Sequence, residues 1–203
     1  MSPTPEGLII DKCRIFYYLV NVERTVDTDT ITAYISIGSN LGDRAGNLLL
    51  AVRGLMEASF QVTKLSGVYE TEPVGVEGHD NFLNMVAEIR TAGITPSQMM
   101  ARMLRIEYLL GRKDKFLQKP RTVDLDILFY GDTVLENSFL TLPHPRLHLR
   151  KFVLVPMAEI AHGFVHPVLE QTVQEILAEL VDDKQVRRWN PNAVPELKLS
   201  SNG

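Results

Sequence analysis

Between Thr32 and Phe129 the apolar positions of this chain switch twice from a two-residue to a helical period, a rhythm that predicts layers of sheet and helix. Thr32 to Ile37 reads as a strand, and Gly38-Ser39-Asn40-Leu41-Gly42-Asp43 as the turn that delivers the chain into a helix. Leu48, Val52, Leu55 and Met56 recur at i, i+4, i+7 and i+8 and make that helix's buried stripe. Val62 to Tyr69 is a second strand and Phe82 to Arg90 a third, with Leu83, Met85, Ala87 and Ile89 on its core face. Thr71 to Asp80, between them, is too long for a tight hairpin, and long ordered loops often carry function. Thr95-Pro96-Ser97-Gln98 is a capping box with proline at the first helical position; Met99, Met103, Ile106 and Leu110 form the stripe, and Gly111 the stop. In the next strand Val123, Leu125, Ile127 and Phe129 face the core. The order β-α-β-β-α-β predicts an α+β, ferredoxin-like sandwich, an antiparallel sheet with two helices on one face. Phe152 to Ile160 and Thr172 to Leu180 add C-terminal helices, and Trp189 and the Pro/Asn-rich end after it are expected to pack loosely.

At 203 residues and 45% apolar content the chain can bury a full core. Its net charge of -4 excludes a broadly basic nucleic-acid-binding surface. Cys13 is the single cysteine, so no intrachain disulfide can form and a reducing, cytoplasmic setting is expected. The apolar run Ile15 to Val22 is too short to span a bilayer. Residues 1–30 read as an extension, 31–190 as the folded domain and 191–203 as a tail. Ile15 to Val20 could otherwise add a strand to a sheet edge.

The chemistry concentrates around Asp124 and Asp126, two carboxylates on one face of an apolar strand. Like charges so close need cations between them, and hard oxygen ligands at this spacing suit Mg²⁺ completed by water and phosphate. Arg121 at the head of the strand can grip phosphate bidentately. The basic segment from Arg112 to Arg121 reads as a lid that neutralises a polyphosphate and excludes water. Leu142-Pro143-His144-Pro145-Arg146, then Arg150 and Phe152, adds phosphate donors and an aromatic. Phe82 and Asn84 share the non-core face of their strand, a stacking surface beside an amide, which suits a flat heterocycle with amide-like edges. Gly38-Ser39-Asn40-Leu41-Gly42 lacks the Gly-Lys-Ser/Thr ending of a phosphate loop and reads as a turn.

Four segments in order, Ala33 to Asp43, Val68 to Gly75, Pro120 to Ile127 and Leu142 to Arg146, give the chain a resemblance to the 6-hydroxymethyl-7,8-dihydropterin pyrophosphokinases of the folate pathway. The resemblance spans roughly residues 32 to 185 and implies transfer of a diphosphoryl group from ATP to the pterin hydroxymethyl oxygen, with release of AMP. It implies that Asp124 and Asp126 hold two Mg²⁺ ions and that Arg112 and Arg121 hold and stabilise the phosphates. Phe82 and Phe152 would sandwich the pterin, with Asn84 and the backbone around Thr71 and Val74 reading its edge. Glu107, Ile127, Thr141, His144 and Arg150, with Arg112 and Arg121, match positions on the nucleotide side. No dedicated general base is implied, so metal polarisation and orientation carry the catalysis. The partners implied are the small molecules ATP and the pterin, with no nucleic acid and no membrane; protein partners are left open.

The chain departs from the family where Gln118-Lys119 replaces the frequent aromatic-Gly pair and where Asp114 stands in place of a second arginine. Two other readings use the same features: a polymerase-palm-like nucleotidyltransferase, which would release diphosphate, and a non-catalytic ferredoxin-like ligand-binding module.

Overall fold

A computed structural model of the chain describes residues 30–72, 80–111 and 120–192. The extension 1–29, the loop residues 73–79, most of the basic segment (112–119) and the tail 193–203 lie outside the described residues. Within them the order is β1 (Ile31–Ser39), α1 (Arg44–Glu57), β2 (Gln61–Leu65), β3 (Tyr69–Thr71), β4 (Phe82–Thr91), α2 (Pro96–Leu109), β5 (Asp124–Tyr130), β6 (Leu135–Glu136), β7 (Thr141–Leu142), α3 (Lys151–Ala161), α4 (Val173–Glu179) and β8 (Val186–Arg188). The main sheet runs β5-β1-β4-β3-β8 with every pairing antiparallel, and β2 pairs with β4 further along the edge that β3 shares. The single strand expected from Val62 to Tyr69 is thus two pieces, interrupted where the Ser66 hydroxyl takes the Val86 amide at 2.9 Å. The edge beyond β3 is occupied by β8, and the next residue, Trp189, expected to pack loosely, instead sets its backbone amide on the Val68 carbonyl at 2.8 Å and its ring against the core; the end of the chain from residue 193 lies outside the described residues.

Each sheet face buries its own cluster. Ile35, Ile37, Leu83, Met85, Ile89, Leu125 and Ile127 pack under α1 and α2; Tyr34, Val86, Leu128 and Phe129 pack under α3 and α4. Strand alternation explains the division except at Phe129, expected beside Ile127 and found on the other face. The β1/β5 register pairs Ile35 with Ile127 but Tyr34 with Phe129, so a bulge at Leu128 reverses the alternation. The α1 stripe is Leu48, Ala51 and Leu55, with Met56 exposed: at 100° per residue Ala51 lies nearer the centre of the face. The α2 capping box forms as expected, with Thr95 Oγ1 accepting from the Gln98 amide and Gln98 Oε1 from the Thr95 amide. Gly111, at φ +93°, ends that helix. On the α3 face Glu88 is buried but held by Lys64 and Thr63, each at 2.8 Å, and by Tyr34. Burial, with the Glu88 charge second, pushes the Tyr34 phenol up to about 12, which keeps it the donor in that pair.

Candidate active site

Along the α3 face the strands change character. Tyr34, Val86 and Phe129 are apolar and covered by α3 and α4, whereas one or two pairs further along stand Gly38, Asn84, Asp124 and Asp126. Gly38 is the centre: it pairs with Asn84 on one side and Asp124 on the other. A Cβ there would lie 2.9 Å from Asn84 Oδ1, 3.8 Å from the Phe82 ring and 3.9 Å from Asp124 Cβ, so the missing side chain leaves a floor open among three candidate residues. Asn84 is buried, and its Nδ2 donates to Thr71 Oγ1 at 2.7 Å, which fixes the amide orientation.

Each carboxylate has its own cation. Arg121 Nη1 donates to Asp124 Oδ2 at 2.6 Å. Arg150 Nη1 stands 3.8 Å and His144 Nε2 3.9 Å from Asp126 Oδ2. His144 Nδ1 accepts the Arg146 amide at 3.2 Å, so the neutral ring carries its proton on Nε2, towards Asp126. Burial lowers the His144 pKa below the ordinary range, with Asp126 opposing and Arg150 and Arg146 assisting. Burial and the neighbouring Arg146 likewise pull the Arg150 guanidinium down, against Asp126 and Asp124. The Arg150 guanidinium lies 5.6 Å above the Phe152 ring, at the start of α3, which joins the aromatic to the cationic half of the site.

Thr71, Phe82, Asn84, Arg121, Asp124, Asp126, His144, Arg150 and Phe152 therefore gather on one face of the sheet at the open ends of β1, β4 and β5. Glu107 and Ile127 send their side chains to the opposite, α2 side, both buried. Glu107 Oε1 accepts the Leu125 amide at 2.7 Å, which ties it to the β5 backbone between the two aspartates. Thr141 is half-buried in β7, opposite Glu136. Val74 and Arg112 lie outside the described residues, as do residues 112–119 of the segment, Arg112 to Arg121, expected to act as a lid. Sequence reasoning missed Gly38, read as part of a turn; its signal was the single residue without a side chain on the face Ser36 shares. No group of three or more metal-ligating side chains occurs among the described residues. No helix among those residues is long and apolar enough to cross a membrane.

Residues 34–162 match the sequence model of a family described as 7,8-dihydro-6-hydroxymethylpterin-pyrophosphokinase (HPPK). The chain is 42% identical over 158 residues to a 2-amino-4-hydroxy-6-hydroxymethyldihydropteridine pyrophosphokinase of Bacillus subtilis, covering 77% of this chain and 89% of that protein. It is 36% identical over 148 residues to one of Aquifex aeolicus, covering 73% and 91%. A crystal structure of Plasmodium falciparum HPPK-DHPS A437G matches the fold with a TM-score of 0.60 at 16% identity; the match covers 76% of this chain and 46% of the other.

Proposed function

This chain belongs to the 7,8-dihydro-6-hydroxymethylpterin-pyrophosphokinase family, and on that premise we propose which of its residues bind each substrate. It transfers a diphosphoryl group from ATP to 6-hydroxymethyl-7,8-dihydropterin in folate biosynthesis. The convergence of Phe82, Asn84 and Asp124 on the side-chain-free Gly38 carries the assignment: the pterin lies flat on that floor with its hydroxymethyl arm towards the carboxylates. Asn84, oriented by Thr71, pairs with the amide-like edge of the ring, and Phe82 and Phe152 supply its apolar walls. Arg121, His144 and Arg150 grip the phosphates; each stands within 4 Å of a carboxylate, and the two guanidiniums offset the carboxylate charge before substrate arrives.

Magnesium fits this donor set, because two carboxylates share one strand face beside cations that can turn to phosphate. Asp124 and Asp126 would hold it, and when bound it neutralises the triphosphate and polarises the reacting phosphoryl oxygens. The protein itself holds the two substrates in line and presents fixed charge where negative charge develops. The order β5-β1-β4 with β2 and β3 on the far edge supports a ferredoxin-like reading of the fold, widened by β8 and covered on its second face by α3 and α4. We assign the catalytic domain to residues 31–190, with a cytoplasmic setting that suits a chain of one cysteine. The test is incubation with ATP, Mg²⁺ and the hydroxymethyl-dihydropterin. AMP and a pterin diphosphate in equal amounts are expected, with no turnover when Mg²⁺ is chelated; ADP, free diphosphate or metal-independent turnover would overturn the reading.

A further inference from the structure

The turn after β1 makes no contact expected to touch either substrate, yet one of its residues is tied to the arginine that grips phosphate. Asn40 is 2% exposed. Its Oδ1 accepts the Arg121 amide at 2.8 Å, and its own amide donates to the Arg121 carbonyl at 3.1 Å. The β1/β5 register that pairs Gly38 with Asp124 would set Asn40 opposite Thr122; the clasp takes Arg121 instead. Beyond the end of the ladder a side-chain oxygen thus does the work of a backbone carbonyl and draws residue 121 one step out of register. Among the described residues neither the buried Thr122 hydroxyl nor Asn40 Nδ2 finds a hydrogen-bond partner, so two unmet groups accompany this arrangement. The turn bearing Asn40 is itself braced, since Asn47 of α1 donates to the Leu41 carbonyl at 2.8 Å and Asp43 caps that helix through the Gly46 amide.

We infer that Asn40 is a positioning residue for Arg121: by fixing the backbone of residue 121 against a braced turn it holds the guanidinium over the carboxylates, where the transferring phosphates bind. The inference rests on the assignment of Arg121 to the phosphates. A long, rotamer-rich side chain delivers its charge reproducibly only when its backbone is fixed, and a misplacement of about 1 Å can cost about a hundredfold in rate. The carboxamide is suited to the task because it accepts the amide without adding a charge beside the two carboxylates.

The experiment is a double-mutant cycle read as kcat, with pterin affinity measured separately by calorimetry. Asn40→Ala is expected to lower kcat about 10- to 100-fold while pterin affinity stays within about twofold. In an Arg121→Ala background the same substitution changes kcat by less than about threefold, because there is no longer a guanidinium to place. Asn40→Asp keeps the acceptor but adds a charge near the two carboxylates, so it should recover part of the loss, leaving kcat above that of Asn40→Ala; a kcat no better than that of Asn40→Ala would count against the acceptor role. Where Asn40→Ala does not fold, the cycle runs with Asn40→Ser, whose shorter side chain cannot reach the amide. If Arg121→Ala alone leaves kcat unchanged, the assignment of Arg121 fails and the inference with it. If Arg121→Ala is severe but the two losses multiply, or pterin affinity falls with kcat, Asn40 supports the fold generally and the inference alone is overturned.

Discussion

Asp126 lies partly exposed in the site, 3.8 Å from the Arg150 guanidinium, so Asp126→Ala removes charge without removing core packing. Turnover should fall about 10²- to 10³-fold, the scale of losing one preorganised charge contact. Stability should change far less than turnover, because the partly exposed Asp126 side chain belongs to the site and packs no part of the apolar core. AMP release and a thermal melt check both, and near-parent AMP release would remove Asp126 from the mechanism. Two neighbouring carboxylates suggest that deleting one relieves repulsion; with Arg121 on one and Arg150 beside the other, no such gain is expected. The pair was legible in the sequence because period-two alternation shows it locally. Arg150 was legible as a phosphate donor but not as the partner of Asp126, because that contact is long-range. His166 gave no sequence signal, yet it is buried, lies 5.3 Å from the Phe129 ring, and its Nδ1 accepts the Val168 and Leu169 amides at 3.2 Å. Burial, with His148 second, lowers its pKa, so the unfolded chain takes up the proton first. The stabilisation is therefore full above about pH 6.5, the unfolded value, and is lost as pH falls below it. The melting temperature should drop between pH 7.5 and 5.5, and drop less in His166→Gln; equal acid sensitivity in the two proteins would clear His166.

At the scale of elements, the site exists because β1 runs two residues further than its apolar pattern, carrying Gly38 between β4 and β5. Gly38→Ala tests that geometry, since the added methyl would stand 2.9 Å from Asn84 Oδ1 and must displace the amide or the strand. Pterin affinity should fall at least about tenfold, the factor of one lost contact of about 1.4 kcal/mol, while affinity for a non-hydrolysable ATP analogue changes less than about threefold. Equal losses for both ligands would mean that Gly38 serves the sheet and not the pterin. Helix α2 was fully legible because its capping box and stripe are local. The Leu128 bulge and the β8 pairing were not: a one-residue insertion in a ladder and a three-residue edge strand exist only through their partners.

Across the whole molecule, both core clusters and every located site residue lie between residues 31 and 190, and the family match begins at residue 34. The sheet edges that could recruit the apolar run Ile15 to Val20 are partly engaged already: β8 lies against β3, and Glu107 takes the Leu125 amide on β5. Deleting residues 1–30 is therefore expected to leave the domain folded and active. With a stability change below about 1 kcal/mol the melting temperature should move by less than about 4 °C, and AMP release should stay within about twofold. Sedimentation of the full and shortened chains completes the test. A larger drop in melting temperature at unchanged sedimentation would make the segment part of this domain's own core. A change in sedimentation would instead make it an association surface between copies. Either result would reassign the extension from an appendage to a working part of the protein, because an apolar run whose removal costs stability or association must have been covered in the intact chain.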